Sequence, residues 1–202
     1  MKVRIKDDLV EVEGYVNAIE RLSKPLNSRI GQFVERIKKG AFERAINRND
    51  DVHILLNHDW SKDLGSTKNG NLSLTEDNIG LRAKATITDE ETVKKARNGD
   101  LVGWSFGFTD RDVDTHDVDG MTTRDVKDLD LYEVSLLDRS KTPAYDGTLI
   151  SVRADEKIYH GEPCVTDVET RDDSKPKEEV KSVDYSKYDA MIAEMKGEQQ
   201  HE

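Results

Sequence analysis

The sequence predicts an α+β protein: a small, closed or rolled, mostly antiparallel β-barrel with a few flanking helices. Short runs of alternating apolar and polar residues, separated by turn residues, recur along the first 150 residues and are typical of strands. Only two stretches there carry a helical pattern. Many short strands with two helices indicate a single compact sheet-based domain, so the 202-residue chain has room for an appendage beyond it.

The strands follow from alternation and turn signals. The opening run KVRIKDDLVEVEGYVNAI predicts a hairpin with its turn at Asp7-Asp8. DVHILLNHDW is a β-rich run, and the stretch after it contains Asn69-Gly70 between alternating segments, which predicts a meander of hairpins. LVGWSFGF, LDLYEVSLL and TLISVR complete the domain, with the charged DRDVDTHDVDG predicted as a loop.

Two short helices are predicted. GAFERAINRND combines helix formers with apolar residues at helical spacing. The second helix is expected to begin at Thr88 as N-cap, with Glu91 three residues later, and to stop at Gly99, just before LVGWSFGF.

Charge and periodicity divide the chain into three parts. Residues 1–153 are predicted to form the main folded domain, 154–184 an acidic flexible linker, and 185–202 a short amphipathic helix. From residue 151 onward there are eight Lys or Arg against fourteen Asp or Glu, so six of the eleven excess negative charges lie in the last quarter. The helix is predicted from one apolar stripe: Tyr185, Tyr188, Ile192 and Met195.

Composition excludes several functions. A net charge of −11 without a basic patch argues against a nucleic-acid partner. The sequence contains no run of about 18 apolar residues that would predict a membrane span. The N-terminus alternates charged and aliphatic residues, which is not typical of a signal peptide. The single cysteine, Cys164, allows no intramolecular disulfide and is compatible with a reducing cytosol.

The run LVGWSFGF has one nearly bare face. Side chains alternate along a strand, so Trp104, Phe106 and Phe108 point one way, while Ser105 points the other way between two glycines. Glycine weakens a strand interior, which indicates that something approaches this backbone closely. We expect a peptide substrate to lie there.

Three polar residues stand where strands should be apolar: His58, Ser105 and Glu133. Each alone is typical of a structural role. Together they supply the hydroxyl, the imidazole that takes its proton and the carboxylate that orients the ring, as acyl transfer by a serine requires. Burial of Glu133 among aliphatic neighbours would also demand a partner such as an imidazole.

Neighbouring groups fit these roles less well. In a continuous strand, Asp59 and His53 would lie on the face opposite to His58. The same geometry disfavours a metal site that includes His53 and His58. The aspartate-rich loop DRDVDTHDVDG lacks the residue spacing of a calcium-binding loop. We therefore predict no metal and no cofactor. Asp128 and Asp130 remain alternatives for the third role.

In seven collinear blocks the chain resembles the prohead proteases of tailed bacteriophages, which are related to the assemblin proteases of herpesviruses. The blocks lie between about residues 10 and 153: GYVNAI, FVERIKKGAF, VHILLNHD, LGSTKNGNLSLTEDNIGL, RNGDLVGWSFGF, LYEVSLL and TPAYDGTLISVR.

This resemblance implies that His58 is the general base, Ser105 the nucleophile and Glu133 the third member, where assemblin uses a second histidine. It further implies a seven-stranded barrel and cleavage of major capsid protein and scaffold inside the assembling procapsid, in the host cytoplasm, with possible self-association. It also implies that a backbone amide and a water held by an arginine stabilise the oxyanion, and Arg111, Arg124 and Arg139 are all conceivable for this arginine.

Two other functions compete with a serine endopeptidase that also cleaves itself. The same fold could act as a non-catalytic, scaffold-binding assembly module, but His58 and Ser105 would then have no chemical reason to be present. An esterase of the α/β-hydrolase type is disfavoured because the chain lacks the G-x-S-x-G elbow.

Overall fold

The computed structural model describes residues 1–28, 31–141, 150–153, 156–165 and 167–174. Within these residues the protein is mostly β-structure with two short helices, and its larger sheet curls into a half-barrel. The predicted class, an α+β protein dominated by antiparallel strands, agrees with this structure. Closure into a seven-stranded barrel stays a prediction.

The smaller sheet has five strands among the described residues, in the order β14-β1-β2-β8-β7. Its strands are β1 (Lys2–Lys6), β2 (Leu9–Ala18), β7 (Leu72–Glu76), β8 (Gly80–Ile87) and β14 (Glu169–Asp172). The predicted N-terminal hairpin with its turn at Asp7-Asp8 is confirmed, and Asp7 adopts the left-handed φ of 38° that such a turn uses.

The larger sheet follows the order β11-β12-β9-β10-β4-β3 in the described part of the chain, with β13 also on β9 and the β5–β6 hairpin on β10. Its strands are β3 (Leu26–Ser28), β4 (Gly31–Ile37), β5 (His53–Leu56), β6 (Asp59–Ser66), β9 (Leu101–Val118), β10 (Met121–Asp138), β11 (Ile150–Arg153), β12 (Glu156–His160) and β13 (Cys164–Val165). β10 pairs antiparallel with β9 and parallel with both β4 and β5. This central position of β9 and β10 brings residues from distant parts of the sequence to one place.

The predicted loop DRDVDTHDVDG is instead the distal part of a long hairpin. β9 continues to Val118 and β10 begins at Met121, joined by Asp119 and Gly120 with φ of 54° and 80°. Positive φ at both central residues matches the twist of a two-residue hairpin turn. The prediction was wrong because this ribbon is mostly exposed, and so its sequence carries charges rather than apolar residues.

Both predicted helices are present, as α1 (Ala41–Arg48) and α2 (Glu90–Arg97), and a short 3₁₀ turn follows β10 at Arg139–Lys141. The N-cap of α2 is Asp89 rather than the predicted Thr88, because the Asp89 carboxylate accepts the Thr92 amide at 2.8 Å. Gly99 follows the helix with the left-handed φ of 70° that suits a C-terminal stop.

The core lies against the aromatic face of β9. Trp104, Phe106 and Phe108 are fully buried, and the ring of Phe42 from α1 meets Phe106 edge-on at 5.2 Å between centroids. The opposite face of β9 is buried too, including Gly103, Ser105 and Gly107. Among the described residues, no helix is long and apolar enough to cross a membrane.

The described part of the predicted linker, 154–184, differs from expectation. It forms β12 and β13 on β9 and β14 on β1, so ordered structure extends past Arg153. Backbone pairing to existing strand edges explains the difference, since it needs no apolar periodicity. The predicted helix at 185–202 lies outside the described residues.

Candidate active site

His58 is presented by the tight turn between β5 and β6. Asn57 and His58 both have positive φ, 58° and 61°, which two-residue hairpin turns require and which glycine or asparagine adopts most easily. For histidine this backbone carries a cost of about 1–3 kcal/mol, which surrounding structure must offset. His58 thus stands in a strained turn rather than at the end of a continuous strand.

Hydrogen bonds fasten this turn to β10. The amide of Asn57 donates to the carbonyl of Leu136 at 2.8 Å, and the amide of His58 donates to Ser135 Oγ at 2.9 Å. The Asn57 side-chain oxygen accepts the amide of Asp138 at 3.0 Å. These bonds hold the imidazole of His58 beside β10.

Asp138 anchors the same end of β10. Its buried carboxylate forms an ion pair with Lys95, with Nζ at 2.9 Å, and accepts a hydrogen bond from the Ser140 hydroxyl. Burial alone would raise the pKa of Asp138, but the hydrogen bonds from Ser140, Lys95 and Asn57 outweigh it and lower this pKa to about 2. The carboxylate therefore stays ionised and keeps the end of the strand in place.

Glu133 lies on β10, with 1% of its surface exposed, and makes a direct contact with His58. Its Oε1 is 2.6 Å from His58 Nδ1, and its Oε2 accepts the Ser135 hydroxyl at 2.7 Å. With Nδ1 donating to the carboxylate, Nε2 of a neutral His58 is left free to accept a proton. A carboxylate without such partners would be costly to bury.

Ser105 faces the same side of the sheet as Glu133. It stands directly opposite Ser135 in the β9–β10 register, and Gly107 stands opposite Glu133. Directly paired residues share a face, with Cβ atoms about 4.5–5.5 Å apart, so the sheet brings the serine beside the Glu133–His58 pair. The Ser105 hydroxyl is fully buried and donates to the carbonyl oxygen of Gly161 at 3.0 Å.

The two glycines that flank Ser105 are explained by close neighbours. A Cβ on Gly107 would lie 2.4 Å from Glu133 Oε1, and one on Gly103 would lie 2.4 Å from the carbonyl oxygen of Cys164. One glycine therefore makes room for the carboxylate. The other makes room for the backbone of β13.

His160, which sequence reasoning missed, completes the cluster. It ends β12, and its ring stacks on that of His58 with centroids 3.9 Å apart and an angle of 9°. Burial and, secondarily, the charge of His58 lower the pKa of His160 to about 3, so this ring is neutral. The only sequence signal is the short β-prone run Lys157-Ile158-Tyr159 in an otherwise acidic stretch.

Within the part of the chain that the structure describes, His58, Glu133 and His160 form a group that could hold a metal ion, since their ligand atoms lie within 4.8 Å of one another. Zinc takes its nitrogen ligands at about 2.0–2.1 Å along lone pairs in the ring plane. Two stacked, nearly parallel rings direct these lone pairs side by side rather than towards one point. The arrangement therefore suits a hydrogen-bonded imidazole better than a metal.

The other candidates have partners elsewhere. Asp128 and Asp130 both bind Arg48, and His53 binds Asp63 at 2.8 Å. Of the three arginines conceivable for the oxyanion, Arg111 binds Asp130, Arg124 binds Glu35 and Asp110, and Arg139 donates to the carbonyl of Gly99.

A buried carboxylate, an imidazole and a serine on adjoining strands are the groups that serine hydrolases combine. The family model of the caudovirus prohead serine protease matches residues 1–161, and the chain therefore belongs to this family. Comparison with curated proteins and with solved structures gives no match.

Proposed function

We propose that this member of the family is an endopeptidase in which Ser105 is the nucleophile, His58 the general base and Glu133 the orienting carboxylate. The observation that supports this assignment best is the buried 2.6 Å contact between His58 Nδ1 and Glu133 Oε1, on the face of the sheet that carries Ser105. Its substrates are major capsid protein and scaffold, cleaved inside the assembling procapsid in the host cell.

Each group has one task in the reaction. His58 Nε2 takes the proton of the Ser105 hydroxyl while Oγ attacks the peptide carbonyl carbon. Glu133 stabilises the imidazolium that forms. The imidazolium then protonates the leaving amine as the C–N bond breaks, and a water molecule, deprotonated by His58, hydrolyses the acyl-enzyme and regenerates Ser105.

Co-expression with the capsid and scaffold proteins of the same phage, followed by intact-mass analysis, tests this proposal. We expect defined shorter products with the unchanged chain and none with Ser105→Ala. Identical masses in both cultures, with both proteins folded, would instead favour a non-catalytic assembly module.

We further propose that the protein trims its own C-terminus and that the predicted helix 185–202 docks on scaffold or capsid protein. The polar, highly charged composition of residues 175–184, with three Lys and three Asp or Glu, fits an accessible connection. A chain ending at Ser174 keeps every described strand, so it should retain cleavage but enter procapsids less. Trimming that persists in Ser105→Ala would identify a host protease instead.

A further inference from the structure

We propose that residues 158–165, the resident segment, occupy the peptide-binding edge of β9 and keep Ser105 covered until they leave, when an extended peptide substrate pairs with β9 in their place. The inference rests on the proposed function, because it concerns substrate binding by the same serine. It goes further by assigning the substrate a place and the chain its own blocking strand.

The resident segment lies where a substrate must lie. β12 and β13 both run antiparallel to β9, with His160 opposite Gly107 and Cys164 opposite Trp104. An extended peptide that adds to a sheet edge makes the same kind of backbone pairing. With the segment in place this edge is filled, and Ser105 has no exposed surface.

The register breaks opposite the nucleophile. Between the two paired runs, residues 161–163 of the segment face only Ser105 and Phe106, which makes a bulge of one extra residue. The Gly161 amide donates to the carbonyl of Phe106 at 2.9 Å, and the Gly161 carbonyl accepts the Ser105 hydroxyl. The bulge therefore aims a carbonyl oxygen at the serine.

This contact is unreactive. The serine donates its proton to the carbonyl oxygen, whereas attack requires the proton on His58 and Oγ approaching the carbonyl carbon. His160 of the same segment covers one face of the His58 ring. The segment thus engages both the nucleophile and the base without presenting a bond for cleavage.

The pairing of the segment with β9 is weak enough to be exchanged. It consists of two runs of two residues each, and Pro163 between them has no amide hydrogen to donate. Residues 162–165 border a cavity of about 180 Å³ and are at most half-buried, whereas Ile158 and Gly161 are buried and β12 also pairs with β11. The 162–165 end therefore has the fewer buried contacts, and such regions open locally at lower free-energy cost.

Gly161 offers a way to expel the segment. A Cβ at this position would lie 1.9 Å from Cε1 of the buried Phe106 ring, so Gly161→Val cannot keep the bulge seated. The substitution leaves the side chains of Ser105, His58 and Glu133 unchanged, and it removes only the hydrogen bond that holds the Ser105 hydroxyl on the segment. A matched control is Thr170→Pro in β14, which disturbs the pairing of the same tail with β1.

Access to position 105 can be measured without catalysis. In the full chain carrying Ser105→Cys and Cys164→Ser, the single thiol is alkylated with iodoacetamide and followed by intact mass. Adding Gly161→Val should accelerate alkylation at least about tenfold, because the competent fraction rises. Thr170→Pro should leave the rate unchanged. Equal rates in all three proteins would overturn the inference.

A second measurement does not depend on the folding of Gly161→Val. In the unchanged protein, hydrogen exchange of the Gly161 amide should be at least about tenfold faster than that of the β9–β10 amides, because the segment opens locally. If the Gly161 amide exchanged no faster than the β9–β10 amides, the segment would be a permanent part of the sheet, and the inference would be overturned.

Cleavage separates this inference from the proposed function. With Ser105 present, Gly161→Val should cleave capsid protein faster than the unchanged chain, and a synthetic peptide of residues 156–165 should slow it again. Faster alkylation without faster cleavage would overturn the inference and leave the proposed function standing. Cleavage that is equal in Ser105→Ala would remove the proposed function, whereas the alkylation and exchange results would be unaffected.

Discussion

The two edges of β9 differ in how they are paired, and the parts of the active site divide along the same line. On one side β10 pairs along the length of β9 and carries Glu133, against which the fastened turn holds His58. On the other side the resident segment pairs through two short runs and engages Ser105 through one hydrogen bond. In the proposed assignment the base and carboxylate are assembled in advance, whereas access to the nucleophile depends on the exchange of this segment.

The division has a physical basis. The β9–β10 hairpin needs no distant partner to set its register, and Glu133 gains both of its hydrogen bonds from residues on or fastened to β10. The segment reaches β9 from a distant part of the sequence, and its register breaks between a glycine and a proline. If the proposed exchange holds, the protein can fold completely and still not bind substrate.

The largest expected effect on cleavage comes from substituting Ser105 on β9 rather than Ser135, which lies directly opposite it on β10. Ser105→Ala should reduce cleavage of capsid protein by about 10⁴-fold or more, because it removes the nucleophilic oxygen. Ser135→Ala should cost less, about 10- to 100-fold, because it removes only a hydrogen bond to Glu133 and one from the His58 amide. Steady-state kinetics on purified variants checks this order, and a larger loss in Ser135→Ala would assign the nucleophile to β10.

The next effect tests the preassembled side. Glu133→Gln should lower kcat by about 10²- to 10⁴-fold with little change in KM, since an amide cannot stabilise the imidazolium. Asp130→Asn is the matched control, because Asp130 binds Arg48 and Arg111 and should leave kcat near its original value. The reverse pattern would give the third role to Asp130.

The sequence predicted the preassembled side better than the conditional one. His58, Ser105 and Glu133 stand out because each is polar within an apolar run, and the structure joins His58 to Glu133 directly. The positive φ of His58 was not predictable, since its turn lacks the usual glycine. His160 was missed because edge pairing uses backbone groups, which leave no mark on composition.

A smaller effect concerns stability where the segment meets the larger sheet. Burial, with smaller contributions from Asp110 and from Glu162 of the segment, raises the pKa of Glu35 to about 7, although the charge of Arg124 lowers it. Between pH 4.5 and 7 the folded protein thus binds a proton that the unfolded chain does not. The contribution of Glu35 to the free energy of unfolding should therefore fall by about 2 kcal/mol as the pH rises through this range, whereas the lowered pKa of His160 acts in the opposite direction.

Urea unfolding of the unchanged protein and of Glu35→Gln at pH 5, 6, 7 and 8 isolates this contribution. Because the amide does not titrate, the stability of the unchanged protein relative to Glu35→Gln should fall as the pH rises. A control, Glu91→Gln on the exposed surface of α2, should show no such change relative to the unchanged protein. A difference between Glu35→Gln and the unchanged protein that is constant with pH would mean that Glu35 does not carry the linkage.

The smallest effect sharpens the comparison between the two edges of β9, because acid should loosen only one of them. The docked His160 is neutral, with burial and the neighbouring charge of His58 holding its pKa at about 3, and Glu133 lies in the same cluster. Once released, the imidazole regains its ordinary pKa of about 6.5. Below that pH the released segment binds a proton that the docked segment excludes, so docking loses stability as the pH falls.

The protection factor of the Gly161 amide should therefore drop about three- to tenfold between pH 7 and 5.5, while amides between β9 and β10 keep theirs. His160→Phe preserves an aromatic ring against His58 but cannot titrate, so this variant should lose the drop in protection. Protection of Gly161 that stays constant in the unchanged protein would show that His160 does not couple acid to the opening of this edge.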